Sequence, residues 1–128
     1  MDPKTLRFTP THEWVHLEGD IATIGISRFA VDQLTDLILI DLPALGARVA
    51  SGKSFGEVES VKAVSDLYSP VTGEVVAVNS DVAGDVQLLA EDPYTKGWLI
   101  QVKLDPQGAS ADLLDHAAYE KKVSEDAH

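Results

Sequence analysis

The sequence predicts a mainly β protein, a sandwich or flattened barrel with a short internal helix and a longer C-terminal one. Three observations predict it. Apolar runs of strand length recur at short intervals, glycines and prolines mark the turns between them, and only two stretches carry a helical period. The clearest strand sets Trp98, Ile100, Val102 and Leu104 in alternation with Leu99, Gln101 and Lys103, the period-two pattern of a half-buried segment.

In chain order, Trp14 and Val15 favour a strand beginning after Pro10. The Glu18-Gly19-Asp20 turn leads into Ile21–Ile26, with Ile24 and Ile26 on one face. Ser27 stands where it can cap a helix over Arg28–Leu34. Leu37-Ile38-Leu39-Ile40 is a continuous apolar run that Pro43 ends. Over about residues 54–70, apolar and polar residues alternate into a polar patch and a second half-buried run leads out. That pattern is a hairpin with Lys62 at its tip. A turn at Thr72-Gly73 is expected to open the strand Val75–Val78. Ser110 is placed to cap a helix over about 110–123, with Leu113, Leu114, Ala117 and Ala118 as its apolar stripe. Residues 124–128 are expected to fray. No linker or low-complexity stretch divides residues 1–128, so one domain is expected. Leu45–Val49 and Val71–Val75 echo one another, each bringing a glycine into an apolar strand.

Composition narrows the function classes. The 128 residues suffice for a core that folds without staples. A net charge of −11 argues against nucleic acid, whose phosphates need basic patches, and suits docking on partners with basic surfaces. The start, Met1-Asp2-Pro3-Lys4, has no apolar signal core, and no apolar run is long enough to span a membrane as a helix. A cytoplasmic protein is expected, or a mitochondrial one if a transit peptide has been removed. The chain has no cysteine, hence no disulfide framework, thiolate nucleophile or Cys-His pair. No Gly-rich phosphate loop follows a strand, and nothing groups the scattered Ser, His and Asp residues into a triad.

One motif is a decoy. His12-Glu13-Trp14-Val15-His16 matches the zinc-peptidase pattern H-E-x-x-H. That pattern chelates only on a helix, where residues four apart share a face. On the strand expected here the two histidines would lie roughly 13 Å apart. Trp14, Trp98, Tyr68 and Tyr94 are read as core or cleft packing.

Lys62, at the tip of the expected hairpin, is well placed for a modifying enzyme to reach. Its neighbours Ser60, Ala63 and Ser65 are small and leave the amine sterically open, with Glu59 three residues before it and Asp66 four after. The string ESVKAVSDLYSPVTGEVVAVN at 59–79 resembles the lipoyl-lysine segment of glycine cleavage H proteins. The likeness continues through THEWV at 11–15, IGIS at 24–27, DLPALG at 41–46, DPY at 92–94, GWL at 97–99 and LLDHAAYE at 113–120. It covers nearly the whole chain in order. Biotin carriers flank their lysine with methionines, and lipoyl domains of 2-oxo acid dehydrogenases usually place Asp before it. Val61 and Ala63 flank Lys62, which favours the H-protein type.

The resemblance implies a flattened β-barrel/sandwich hybrid of the lipoyl-domain type and a carrier that is not itself an enzyme. Lipoate would be attached covalently to Lys62. Glu59 would be met by the lipoyl-attaching enzyme, and Glu13 would line the cleft that shelters the loaded arm. Further implied partners are a glycine decarboxylase (P protein), an aminomethyltransferase (T protein) and dihydrolipoyl dehydrogenase (L protein). The first would supply an aminomethyl group, the second would take its carbon and release ammonia, and the third would reoxidise the dithiol. The chain departs from the family pattern at Phe29, where His is frequent, at Thr35, where Gly is usual, and in the stretch Val82–Glu91, read as a loop, which lacks the usual proline and has Leu89-Ala90 where an apolar residue precedes Asn. Two other readings therefore stay open. One is an H-like lipoyl carrier of another pathway, serving sulfur oxidation or a lipoyl relay; the other is an unmodified interaction domain.

Overall fold

The computed structural model describes residues 2–34, 36–109 and 113–126. After a 3-10 turn at Pro3–Thr5 come β1 (Arg7–Phe8), β2 (Glu13–Glu18), β3 (Ile21–Ile26), α1 (Arg28–Leu34) and β4 (Leu37–Asp41). There follow β5 (Arg48–Val49), β6 (Ser54–Ser60), β7 (Val64–Tyr68), β8 (Val71–Val78), α2 (Ser80–Gly84), α3 (Gln87–Glu91), β9 (Ile100–Ala109) and α4 (His116–Asp126). The strands form a six-stranded sheet, β1-β2-β3-β9-β8-β5, and a three-stranded sheet, β4-β6-β7. All pairs are antiparallel. The two sheets do not close on one another, so the architecture is a flattened sandwich.

Period-two patterning sets the main core. Val15 pairs with Ile24, Ile24 with Ile100 and Ile100 with Val78, a row of apolar side chains crossing four strands. Leu37, Ile40, Val58 and Leu67 of the small sheet join the same cluster, as do Val31, Val82 and Leu89 from the helices. Trp14, pointing the opposite way from Val15, enters a second cluster with Leu6, Phe8 and Tyr119. Its indole N–H donates to the Pro93 carbonyl at 3.0 Å. Gly25 lies opposite it in the register, and a Cβ there would fall 2.5 Å from the indole ring. Tyr94 and Trp98 lie partly buried against this second cluster, whereas Tyr68 belongs to neither cluster and lines a hollow with Thr9, Thr11 and Pro70.

Several sequence expectations are corrected. Thr72 and Gly73 lie inside β8, and the turn sits at Ser69-Pro70, where the Ser69 hydroxyl donates to the Val71 carbonyl at 2.6 Å. Gly73 marks a close approach instead, since a Cβ there would meet the Lys103 carbonyl oxygen at 2.1 Å. The apolar run Leu37–Ile40 does form a strand as read, β4, with Leu37 and Ile40 buried and Ile38 and Leu39 about half exposed. A bulge between Leu37 and Leu39 breaks the alternation. The stretch Val82–Glu91, read as a loop, holds the end of α2 and all of α3; the Asn79 side chain caps α2 through the Asp81 and Val82 N–H groups.

The C-terminal helix begins at His116. Leu114 exchanges two 2.7 Å backbone hydrogen bonds with Phe8, and Asp115 caps the helix through the Ala118 N–H. Leu113 and Leu114 therefore precede the helix, Ala117 and Ala118 are exposed, and Tyr119 is the buried anchor. Ser124, Glu125 and Asp126, expected to fray, continue α4. Ser110 and Thr35 lie outside the described residues. Ser27 takes the position read for it: its hydroxyl accepts the Ala30 N–H at 3.2 Å and its carbonyl the Val31 N–H. The echoing segments meet, Arg48 pairing with Glu74 and Val49 with Gly73. Among the described residues no helix is long and apolar enough to cross a membrane.

Candidate functional site: a hairpin lysine beside a carboxylate-lined cavity

The hairpin β6–β7 pairs Val58 with Ser65 and Glu59 with Val64, and residues 61–63 form its tip. Lys62 is exposed at that tip between exposed Val61 and Ala63. The loop is fixed by hydrogen bonds, local ones and one reaching back to the segment before β4, rather than by packing. The Ser60 N–H donates to the Ala63 carbonyl at 2.9 Å, and the Val61 N–H to the Asp36 carbonyl at 3.1 Å. The Ser60 hydroxyl, buried at the end of β6, accepts the N–H groups of Lys62 and Ala63, each at 3.3 Å. Glu59 is half-buried on the outer face of the small sheet, between Leu39 and Val64 in the register.

Glu13 lies elsewhere, at the start of β2, and is 2% exposed. It sits on the core side of the strand because it shares a face with Val15. Its carboxylate accepts the Thr9 hydroxyl at 2.7 Å, the Thr11 hydroxyl and, at 3.4 Å, the Tyr68 N–H. Burial pushes its carboxyl up from the usual value, and the two threonine hydroxyls partly offset this. Glu13 lines a cavity of about 360 Å³ with Thr11, His12, Phe29, Ser65, Asp66 and other residues of α1, β6 and β7.

The site residues read from sequence are thus not gathered at one point. Lys62 and Glu59 belong to the hairpin's end and outer face. Glu13 is in the cavity, one wall of which is the same hairpin through Val58, Ser65, Asp66 and Leu67. Of the departures, Phe29 lines this cavity, whereas Ala90 lines a neighbouring hollow with Val31, Asp32, Asp36, Leu37 and Gln87.

The H-E-x-x-H stretch falls on β2, so helical chelation is ruled out for it. His12 precedes the strand with a φ of 78°, a left-handed conformation uncommon for a side-chain-bearing residue. Its Nδ1 lies 2.8 Å from the Tyr119 hydroxyl, which lies 2.5 Å from the Ser27 hydroxyl. Its ring rests on Phe29 with centroids 4.8 Å apart. Sequence reasoning missed this hub and the part played by Ser60. A serine just before the lysine was the available signal for the second; nothing local ties Tyr119 to Ser27, 92 residues away.

This arrangement defines a class: an antiparallel scaffold that displays one lysine on a pinned hairpin and keeps a buried carboxylate in a cavity behind it. The model of the glycine cleavage H-protein family matches residues 6–126, and the chain belongs to that family. A glycine cleavage system H protein of Nitratidesulfovibrio vulgaris (strain Miyazaki F) is 51% identical over 128 residues, covering 98% of both chains. One from Rhodopirellula baltica is 54% identical over 132 residues, covering 97% of this chain and 96% of its own. The crystal structure of a glycine cleavage system H protein from Mycobacterium marinum matches with a TM-score of 0.86 at 36% identity, covering 98% of this chain and 99% of that one.

Proposed function

We propose that the chain is a cytoplasmic, single-domain carrier of glycine cleavage with lipoate in amide linkage to the Nζ of Lys62. The observation that carries this reading is the exposed position of Lys62 on a hairpin tip whose backbone is held by Ser60 and Asp36. The residues present fit such a group. Small neighbours leave the amine open to an attaching enzyme, and the cavity beside the hairpin offers the Glu13 and Asp66 carboxylates. The lipoyl group would supply a strained cyclic disulfide that takes up a carbon unit together with two electrons.

In this reading the carrier receives an aminomethyl group from a glycine decarboxylase and yields its carbon to an aminomethyltransferase with release of ammonia. A dihydrolipoyl dehydrogenase then reoxidises it. The chain's own residues do no bond-making. Lys62 provides attachment, Glu59 beside the tip gives the attaching enzyme a carboxylate to recognise, and Glu13 shelters a cationic amine by charge and exclusion of water. A rigid sheet suits a residue that several enzymes must find in one geometry.

The test is glycine-dependent exchange of labelled bicarbonate with a cognate decarboxylase, using lipoylated wild type and Lys62→Arg. Arg keeps charge and most of the bulk but cannot form the amide. The wild type should support exchange and gain the mass of one lipoyl group, and the variant should do neither while keeping its melting temperature. Activity surviving in Lys62→Arg would overturn the assignment. A fully lipoylated wild type that supports no exchange would move the carrier to another pathway.

A further inference from the structure

We propose that Ser60 is the positioning residue of the hairpin tip: its buried hydroxyl holds the backbone of Lys62 and Ala63 in the conformation that a lysine-modifying enzyme engages. This rests on the reading of Lys62 as the modified residue.

The tip has four consecutive backbone N–H groups, from Ser60 to Ala63. Two are satisfied by main-chain carbonyls, those of Ala63 and Asp36. The other two, on Lys62 and Ala63, converge on one side-chain oxygen, the Ser60 Oγ, at 3.3 Å each. That hydroxyl also lies 3.3 Å from the Ala63 carbonyl, to which it donates. One side chain therefore makes three contacts to a loop whose own residues are exposed and contribute no core packing. Serine hydroxyls bond their neighbouring backbone in this local way, offering an alternative to ladder pairing. Ser60 is 4% exposed and pairs with Leu37 of β4, so the oxygen is anchored to the small sheet.

The individual bonds are at the long end of the hydrogen-bond range, and the amides they hold stand next to water. Loss of the hydroxyl should therefore loosen the tip without unfolding the protein. A tip that samples several conformations binds its enzyme more weakly in proportion to the fraction in the competent form. The defect belongs in KM rather than in kcat.

The test uses the full-length apo protein, a lipoate-protein ligase with lipoate and ATP, and the variants Ser60→Ala and Ser60→Thr. Amide hydrogen exchange reads tip order, and intact mass reads modification. In Ser60→Ala, exchange at Lys62 and Ala63 should quicken about 10-fold while Val58 and Leu67 keep wild-type protection. The kcat/KM for modification should fall about 10-fold, equivalent to about 1.4 kcal/mol, with the change in KM. Ser60→Thr retains the oxygen and should restore both readouts; it also decides the matter should Ser60→Ala fail to fold. Unchanged amide exchange in Ser60→Ala, or a wild-type kcat/KM despite loosened amides, would overturn the role of Ser60 alone. A Ser60→Thr protein that folds but stays as defective would overturn it too. Wild-type protein that takes up no lipoyl group would instead overturn the reading of Lys62.

Discussion

Tyr119→Phe isolates one oxygen at the junction of α4, α1 and the strand carrying Glu13. The ring itself should stay, because it stacks on Phe8 with centroids 4.3 Å apart and planes 7° from parallel. Burial pushes the phenol up, so it keeps its proton and its bonding role at any ordinary pH. Removing the hydroxyl strips the Ser27 Oγ, which has no solvent exposure, of its 2.5 Å contact. The Ala30 N–H remains as its sole other contact among those described. A buried hydroxyl left short of a partner costs about 1–3 kcal/mol. Unfolding entropies near 2.1 cal/mol/K per residue give roughly 0.27 kcal/mol/K for this chain, so the loss corresponds to a melting temperature lower by about 4–11 °C. Calorimetry measures the shift, and urea titration with an unchanged slope establishes that the unfolded state is unaffected. The double variant Ser27→Ala/Tyr119→Phe should lose less than the sum of the singles, because both members of the pair are then gone. A single variant melting within about 1 °C of wild type would refute the hub.

Two further outcomes follow from the cavity and the core. Glu13 has a folded-state pKa raised above the ordinary 4.5 by burial, so the stability it contributes is fully present below about pH 4.5 and is lost as pH rises through the raised value. Glu13→Gln removes that titration; its stability relative to wild type should climb across that window and then level off, as urea midpoints at a series of pH values would show. A constant gap from pH 4 to 8 would contradict the burial argument. Gly25→Ala would force a Cβ to 2.5 Å from the Trp14 indole, an overpacking worth about 1–3 kcal/mol, with a matching change in tryptophan fluorescence. A variant as stable as wild type with unaltered emission would mean that the indole can move aside.

Legibility in the sequence tracked the range of the interactions involved. The hairpin around Lys62, the strand after Pro10 and the helix after Ser27 rest on local alternation and a local cap, and all three stand in the structure. α2 and α3 have only five residues each, too few to display a period, and the Asn79 cap was the one local sign of them. Gly73 was misread because a glycine in a strand and a glycine in a turn look alike until the opposing Lys103 carbonyl is in place. The start of α4 is set by Phe8, more than a hundred residues upstream. The site divides the same way. Lys62 could be found from its own neighbours, whereas the bonds that Glu13 accepts from Thr9 and Thr11 and its distant contact with the Tyr68 N–H needed the fold.

The hairpin has two uses on the proposed role, and its geometry couples them. Its tip presents Lys62 outward, while its inner face supplies Val58, Ser65, Asp66 and Leu67 to the Glu13 cavity. Ser65 and Asp66 are three and four residues beyond Lys62, at most roughly 10–14 Å along the chain. An arm built on the Lys62 amine needs a reach of that order to fold back into the cavity. The lysine side chain by itself, four methylenes and an amine, falls short. On that role, acylation would change what the lysine can touch as well as what it can react with. Because strand pairing holds tip and wall together, the reach required is fixed by the sheet and does not vary with the partner that docks. The Tyr68 N–H, at the far end of β7, binds Glu13 and ties the hairpin to the large sheet. Loosening that tie should change the span between lysine and carboxylate, whereas loosening Ser60 should change only how the lysine is shown.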